Sequence, residues 1–375
     1  MATNRRSRPS AAFLLLVFAF AFAGCATRPP ERPPERGTPA AEAPPSGQEI
    51  WAYNAHWMGE AWRVYDLRAF RRLLFFDLAA GADGAIESRN GWPERWEGLR
   101  RAAREARVPL DPVVSVIGND TFAAIFRNPE RRARLLQETT ALARNAEGVH
   151  LDVEILGNAG DAELRGFAAF LGELRNALEV PPRKMLSAFV PGGTNIYGPR
   201  ELSFLDVAVV QGYDVHWKDS PQSGPIALLN GASPAAWQPA ADALARSGVS
   251  PRKMVFSTPL YGYEWPTDSD SPGAPTTGPG IITTFAPLPR SLSPELRVNA
   301  LARAAAHGLR RDGASAAPWY AFRDRAGWRQ GWYDDALSLK PRLDFVRAGN
   351  YRGVALFVLG YDGGTLLEAI EDAFR

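Results

Sequence analysis

Short apolar runs alternate with amphipathic segments from residue 49 to the end of the chain. Eight of these runs have the length and flanking turn residues typical of β-strands, at 50–55, 73–78, 112–117, 148–155, 185–190, 207–211, 254–259 and 354–359. Helices are predicted in most of the gaps, at 67–72, 93–107, 129–145, 161–179, 234–247, 334–348 and 364–374. We expect the helix that starts at 161 to have a good N-cap.

This alternation predicts the fold class. Eight strands separated by helices are typical of an α/β protein with a (β/α)8 TIM barrel. A doubly wound open sheet is the alternative, but no Gly-rich phosphate turn follows the first predicted strand. The pattern therefore favours the barrel over residues 49–375.

One interval is too long for a simple connection. Between Tyr263 and Trp332 the chain has a Pro/Gly/Ser/Thr stretch, an Ala-rich helical pattern at about 296–307, and an aromatic segment at 317–322. Long connections of this kind are usually functional excursions. We expect a small insertion between strands seven and eight, at about 264–331, beside the active face.

The chain before residue 49 has a different pattern. Three arginines in residues 1–9 precede an unbroken run of apolar and small residues at 11–24, which suits a secretory signal. The run ends at Phe22-Ala23-Gly24-Cys25, which resembles the cleavage motif of bacterial lipoproteins. Residues 1–24 are thus interpreted as a lipoprotein signal peptide, with Cys25 as the lipidated N-terminus; ordinary secretion and a retained anchor are the alternatives.

Residues 25–48 are rich in proline and repeat the sequence Arg-Pro-Pro-Glu, which favours an extended tether. Lipid chains on Cys25 hold a protein to a membrane without a spanning helix. The expected location is therefore the cell envelope, lipid-anchored, or else the exterior after secretion. Ala26 offers no retention signal of the aspartate type, which favours the outer membrane.

Composition narrows the class of protein. The 375 residues are 46% hydrophobic and 22% charged, as in a globular protein with a sizeable core. A net charge of +2 gives no reason to expect a nucleic-acid partner. Eleven Trp and ten Tyr offer surfaces that stack on sugars, although aromatic residues also fill cores. The single cysteine excludes an intrachain disulfide.

The fourth predicted strand presents three titratable side chains to one side. His150, Asp152 and Glu154 share a face because side chains two apart in a strand point the same way. Burying them as plain structure leaves charges without partners, so the pattern favours a cleft; a solvated edge strand is the alternative.

Reactive residues of barrels lie at the carboxyl ends of strands. The candidates there are Tyr53, Ser115, Asp152, Glu154, Gln211, Tyr213, Asp214, Tyr261 and Phe357. Carboxylates and tyrosines prevail, with neither a nucleophilic cysteine nor a Gly-x-Ser-x-Gly elbow. A zinc site from His150, Glu154 and His216 is conceivable, but these residues lack any recognised ligand spacing. No cofactor is implied.

Residues 147–154, Glu-Gly-Val-His-Leu-Asp-Val-Glu, resemble the fourth-strand motif of glycoside hydrolase family 18, the chitinase-like family, which is Asp-Gly-x-Asp-x-Asp-x-Glu. Stretches similar to other family motifs follow the family's order, at 111–118, 211–214, 253–265 and 332–357. The resemblance covers residues 49–375 and is carried by the ordered set rather than by any one motif.

This resemblance implies a retaining hydrolase of β-1,4 bonds next to N-acetylglucosamine, in which the substrate's acetamido oxygen is the nucleophile. Glu154 matches the acid, Asp152 the residue that orients the acetamido group, and Tyr213 a donor to its carbonyl. Sugar binding is expected from Tyr53, Ser115, His150, Gln211, Asp214, Tyr261 and Phe357. Chitin and peptidoglycan are both expected substrates.

Three residues depart from the family pattern, and the first of them is Glu147, which stands where the motif has its first aspartate. His150 stands where the family commonly has aspartate, and we expect it to pair with Asp152 as an imidazolium and hold it away from Glu154. Phe357 replaces the usual tryptophan, which implies weaker binding or a different sugar. A non-catalytic glycan-binding or envelope scaffold protein on the same barrel is therefore the alternative function, followed by another barrel hydrolase.

Overall fold

A closed parallel barrel forms the body of the protein in a computed structural model that describes residues 47–288 and 296–375. The strands are β1 Glu49–Ala55, β2 Arg72–Ala80, β3 Ile86–Ser88, β4 Leu110–Ile117, β5 Gly148–Glu154, β6 Met185–Val190, β7 Val207–Val210, β8 Met254–Pro259, β9 Tyr261–Thr267, β10 Ile281–Thr284, β11 Arg310–Arg311, β12 Pro318–Asp324, β13 Gly327–Trp332 and β14 Gly353–Phe357.

The barrel consists of eight parallel strands in the order β1, β2, β4, β5, β6, β7, β8 and β14. Pairing of β14 with β1 closes it, and β3 adds an antiparallel strand to the end of β2. The predicted (β/α)8 barrel is confirmed, with each predicted barrel strand within two residues of its observed ends.

Helices cover the outside of the barrel. They are α1 Glu97–Ala106, α2 Asn119–Phe126, α3 Pro129–Ala143, α4 Asp161–Leu178, α5 Pro199–Ser203, α6 Trp237–Arg246, α7 Ala300–His307, α8 Ala336–Ala348 and α9 Leu367–Phe374. The predicted helix at 67–72 is only a 3-10 turn at Leu67–Ala69. Helix α4 begins after Gly160, which provides no side-chain cap, so the predicted good N-cap is wrong.

A second sheet lies between β8 and β14 in the chain. It is antiparallel, in the order β10-β9-β13-β12-β11, and α7 joins β10 to β11 along the chain. Tyr263 pairs with Trp332 across β9 and β13, so both ends of this excursion return to one point of the barrel. The predicted insertion at about 264–331 contains β10, α7, β11 and β12 and most of β9 and β13.

The barrel interior is packed, as the alternation along its strands requires. Inward-facing residues from several strands form one cluster: Trp51, Tyr53, Leu74, Val113, Val207, Val209, Val255 and Ala355. Alternate residues of the same strands face outward into the larger core under the helices. Side chains therefore fill the middle of the barrel that the structure describes, which leaves space for a ligand at its two ends.

Residues 1–46, with the predicted signal peptide, most of the tether and Cys25, lie outside the described residues. Among the helices that the structure describes, none has the length and apolar character to cross a membrane.

Candidate active site

The central strand of the candidate site is β5, which brings three titratable side chains to the barrel axis. His150 is completely buried, Asp152 is 3% exposed, and Glu154 is accessible at the barrel mouth. Their neighbours Val149, Leu151 and Val153 face the outer core. Because β5 is paired with β4 and β6, the alternative of a solvated edge strand is wrong.

Asp152 and Glu154 form a pair of interacting carboxyl groups. Burial, followed by the charges of Glu154 and Asp77, raises the pKa of Asp152 well above its usual range. Burial also raises the pKa of Glu154, because protein atoms crowd its side chain although solvent reaches it, while a hydrogen bond with Asp152 opposes this rise. The two groups interact, so their apparent pKa values belong to the pair rather than to either residue.

Aromatic rings surround this carboxyl pair. The Tyr213 ring lies 5.8 Å from the Phe357 ring at 25° between their planes, and 6.0 Å from the ring of Tyr261. Phe357 also contacts Tyr53 edge-on at 5.4 Å. These rings form apolar parts of the wall around the two carboxyl groups of β5.

The position of Tyr213 depends on the glycine before it. Gly212 has φ +69, and a Cβ there would lie 2.4 Å from the Ser257 carbonyl oxygen, so no other residue fits. Its own carbonyl accepts a hydrogen bond of 2.8 Å from Trp237 Nε1. Burial raises the pKa of the Tyr213 hydroxyl well above its usual range, so the group keeps the proton that it can donate to a ligand.

Asp214, which follows Tyr213 directly, is a further acidic group of the site. Its carboxylate accepts a 2.6 Å hydrogen bond from the Tyr261 hydroxyl. Burial raises the pKa of Asp214 to about 6, although hydrogen bonds from Tyr261 and Tyr263 oppose the shift. Asp214 therefore carries a charge near neutral pH and loses it in mild acid.

The model of the family described as "Glycosyl hydrolases family 18" matches residues 6–362. The chain belongs to this family. A curated relative, Nod factor hydrolase protein 1 of Medicago truncatula, is 26% identical over 202 residues, which are 47% of this chain and 52% of that protein. The chain thus spans about half the length of this relative.

Solved structures share the family 18 fold. A family GH18 chitinase from Cycas revoluta in complex with allosamidin superposes with a TM-score of 0.71, at 19% identity over 87% of this chain and 99% of the other. The spore cortex-lytic enzyme of Bacillus megaterium gives 0.66, at 19% identity over 88% of this chain and 75% of the other. At these identities the likeness establishes the chitinase-like hydrolase fold.

His150, the main departure from the family 18 motif, does not pair with Asp152. Its Nε2 is 3.0 Å from the Tyr53 hydroxyl and its Nδ1 is 2.9 Å from Ser187 Oγ. Burial, with a smaller effect from the charge of Arg72, lowers the pKa of His150 to about 3. The expected imidazolium is wrong: the ring is neutral, fully bonded and one layer beneath Asp152.

This burial predicts how stability depends on pH. The unfolded histidine binds a proton near pH 6.5 but the folded one only near pH 3, so stability falls as the pH drops through that window. We expect the parent to lose about 1.4 kcal/mol per pH unit relative to His150→Asn there. Urea unfolding of both proteins between pH 7 and 4.5 measures this difference, and parallel curves would contradict the neutral ring.

Other residues predicted to bind sugar play different parts in the family 18 site. Ser115 is buried and donates its hydroxyl proton to Asp77, while the buried Tyr53 bonds to His150, so both support the site from below. Gln211 Oε1 accepts a 2.9 Å hydrogen bond from the Gly192 N–H and fixes the loop after β6. Phe357 and Asp214 remain partly exposed, and the buried Tyr261 holds Asp214.

The zinc site considered from the sequence is not assembled. His216 Nδ1 is 2.7 Å from the Pro225 carbonyl, and both ring nitrogens of His150 are engaged elsewhere. Across residues 47–288 and 296–375, no three side chains of the ligating types lie together in a metal-binding group.

Sequence reasoning missed Asp77, near the end of β2. Asn90 Nδ2 lies 3.3 Å from its Oδ1, and His56 Nε2 lies 3.8 Å from the same atom. The available signal was a lone carboxylate in the otherwise apolar run 73–80, close to the end of a barrel strand where reactive residues lie.

Proposed function

We propose that this protein is a retaining glycoside hydrolase that cleaves β-1,4 bonds of polymers containing N-acetylglucosamine. The observation that supports this most is the Asp152–Glu154 pair, whose pKa values are raised by burial and whose charges lie close enough to act on the Tyr213 hydroxyl. This arrangement supplies an acid, an anion and a hydrogen-bond donor at one mouth, which matches the needs of substrate-assisted cleavage.

In the first step Glu154 gives its proton to the glycosidic oxygen as the bond from that oxygen to C1 breaks. The carbonyl oxygen of the substrate's own acetamido group attacks C1 from the opposite face, forming a cyclic oxazolinium ion. Asp152 accepts a hydrogen bond from the acetamido N–H and, as an anion, stabilises the positive charge. The raised pKa of Glu154 keeps its proton available near neutral pH.

In the second step a water molecule gives a proton to the Glu154 carboxylate while its oxygen attacks C1. The bond from C1 to the acetamido oxygen breaks, and the acetamido group is restored. Two inversions at C1 leave the product with the β configuration of the substrate. Throughout both steps the Tyr213 hydroxyl donates to the acetamido carbonyl oxygen and aims it at C1, and Asp214 binds the sugar nearby.

Relatives support a substrate of this class. Structures of the Cycas revoluta chitinase are in complex with (GlcNAc)3 and (GlcNAc)4, and another structural neighbour is named for lysis of the spore cortex. Both chitin oligomers and peptidoglycan are therefore proposed substrates. Phe357 offers a smaller stacking face than tryptophan, so we expect weaker binding of each sugar than a tryptophan floor gives.

Products from chitin oligomers and from peptidoglycan, assayed side by side, test the proposal. We expect new reducing ends from at least one polymer, and β-anomers when the products are observed by proton NMR before mutarotation. Initial α-anomers would contradict the retaining mechanism. Binding of either polymer without turnover over a long incubation would favour the non-catalytic scaffold instead.

The lipid anchor at Cys25, and with it a place in the outer membrane, stays a prediction from the sequence motif. Labelled palmitate that enters the parent but not Cys25→Ser would support it, and equal labelling would contradict it.

A further inference from the structure

Asp77 lies two strands away from Asp152, with Ser115 of β4 between them. Ser115 is the register partner of Asp152 on one side and of Ala79 in β2 on the other. Its hydroxyl donates to Asp77 Oδ2, and the Asn90 side-chain amide donates to the Asp77 carbonyl oxygen at 2.9 Å. The Asp77 carboxylate, only 15% exposed, is therefore fixed in place near the acidic pair.

Asp152 has an unusual environment for an anion. Its Oδ1 is buried and has no hydrogen-bond partner in the described part of the chain. Beneath it lies His150, which is neutral and supplies no positive charge. Two negative groups, Glu154 and Asp77, both oppose ionisation of Asp152.

We propose that Asp77 is a positioning residue of this active site, which acts through Asp152. The negative charge of Asp77 disfavours ionisation of Asp152. The Asp152–Glu154 pair therefore keeps one of its protons as the pH rises towards neutral. This inference rests on the proposed function for its consequence in catalysis. When Glu154 gives up its proton, the charges of Asp77 and Asp152 together stabilise the oxazolinium cation that forms.

Most other titratable groups near Asp77, Asp152 and Glu154 are uncharged near neutral pH. Burial lowers the pKa of His56, so its ring, 3.8 Å from Asp77, is uncharged near neutral pH. Burial raises the pKa of the Tyr53, Tyr197 and Tyr213 hydroxyls, which stay neutral. Among the described residues Asp214, whose pKa burial raises to about 6, is a further charged neighbour, and the charge of Glu154 contributes to that rise.

The test is the pH dependence of kcat/KM for Asp77→Asn. Removing a like charge lowers the apparent pKa values of the pair, so we expect both limbs of the profile to move to lower pH, by about one unit. Asp77→Glu keeps the charge and restores the parent profile. Asp83→Asn, which removes an exposed carboxylate paired with Arg134 from the turn after β2, serves as the matched control and leaves the profile in place.

A uniform loss of rate at every pH, without a shift, would overturn the proposal and make Asp77 merely structural. Ser115→Ala gives a second route if Asp77→Asn does not fold, because it frees the Asp77 carboxylate; we expect a smaller shift in the same direction, and no shift would count against the proposal.

Carbon-13 NMR titration of the carboxyl groups separates this inference from the proposed function. In the free protein, the apparent pKa of the Asp152–Glu154 pair falls in Asp77→Asn if the proposal is right, and stays unchanged if it is wrong. This readout needs no substrate. A parent protein that cleaves neither polymer would thus refute the proposed function and leave the coupling between Asp77 and Asp152 measurable.

Discussion

Glu154→Gln is expected to reduce kcat/KM on the cleaved polymer by about 10²–10⁴-fold while sugar binding is retained. The amide has the shape of the acid but offers no transferable proton, so the glycosidic oxygen departs as an unprotonated alkoxide. Glu154 is also accessible at the barrel mouth, so solvent reaches the new amide. Reducing-end release measures the rate, and calorimetry with an oligosaccharide measures binding.

Glu147→Gln is the matched control for this experiment. Glu147 immediately precedes β5, at the end opposite Glu154. Its side chain is 69% exposed, and its Oε2 lies 3.9 Å from Lys184 Nζ. The same loss of charge there should leave both rate and binding unchanged. Near-parental activity of Glu154→Gln would refute its role as the acid, and an equal loss in Glu147→Gln would point to a general effect of charge on folding.

The barrel was predictable from the sequence because the burial of a strand is reflected in its residue types. Residues of β7 and β8 are buried on both faces, which gives mostly apolar runs that end within a residue or two of the observed strands. The second sheet was harder: its strands mix Trp, Tyr, Arg and Gln, and Gln330 is buried only because its partners come from distant turns. Such pairing is set by tertiary contacts that no local pattern records.

Part of the candidate site was likewise predictable from the sequence, and part was not. Alternation within one strand was enough to place Asp152 and Glu154 together, because their geometry is local. The protonation of His150 was not predictable, because it depends on Tyr53 and Ser187 from two other strands and on burial that removes solvent. A histidine beside two carboxylates in the sequence suggests an imidazolium, whereas in the folded barrel burial, with a smaller effect from the charge of Arg72, lowers the pKa of the ring.

The end of the barrel opposite the site carries a buried ion pair that was equally hidden in the sequence. Arg72 of β2 bonds to Asp111 of β4, which is completely buried, and the Arg72 guanidinium also lies 5.5 Å from the Trp51 ring centroid. Burial raises the pKa of Asp111, and the charge of Arg72 opposes this rise. Without Arg72, a carboxylate would remain in the barrel interior with its main counter-charge gone.

We therefore expect Arg72→Met to lower the free energy of unfolding by about 3–5 kcal/mol at pH 7, since breaking a buried pair leaves an uncompensated charge. The double variant Arg72→Met/Asp111→Leu should recover most of this loss, because it removes both charges and fills the space with apolar atoms. Urea unfolding of the parent, the single and the double variants measures the effect. If the single and double variants were equally unstable, lost packing around Trp51 would be the cause instead of the stranded charge.

The pH dependence of the single variant separates these causes further. With Arg72 removed, the folded pKa of Asp111 rises further above its unfolded value, so the charged form is the one that folding disfavours. Stability of Arg72→Met should therefore increase relative to the double variant as the pH falls from 7 towards 4, by up to about 1.4 kcal/mol per pH unit. A constant difference across that range would mean that the Asp111 carboxyl stays ionised in the folded protein, as a well-solvated group does, once its partner is gone.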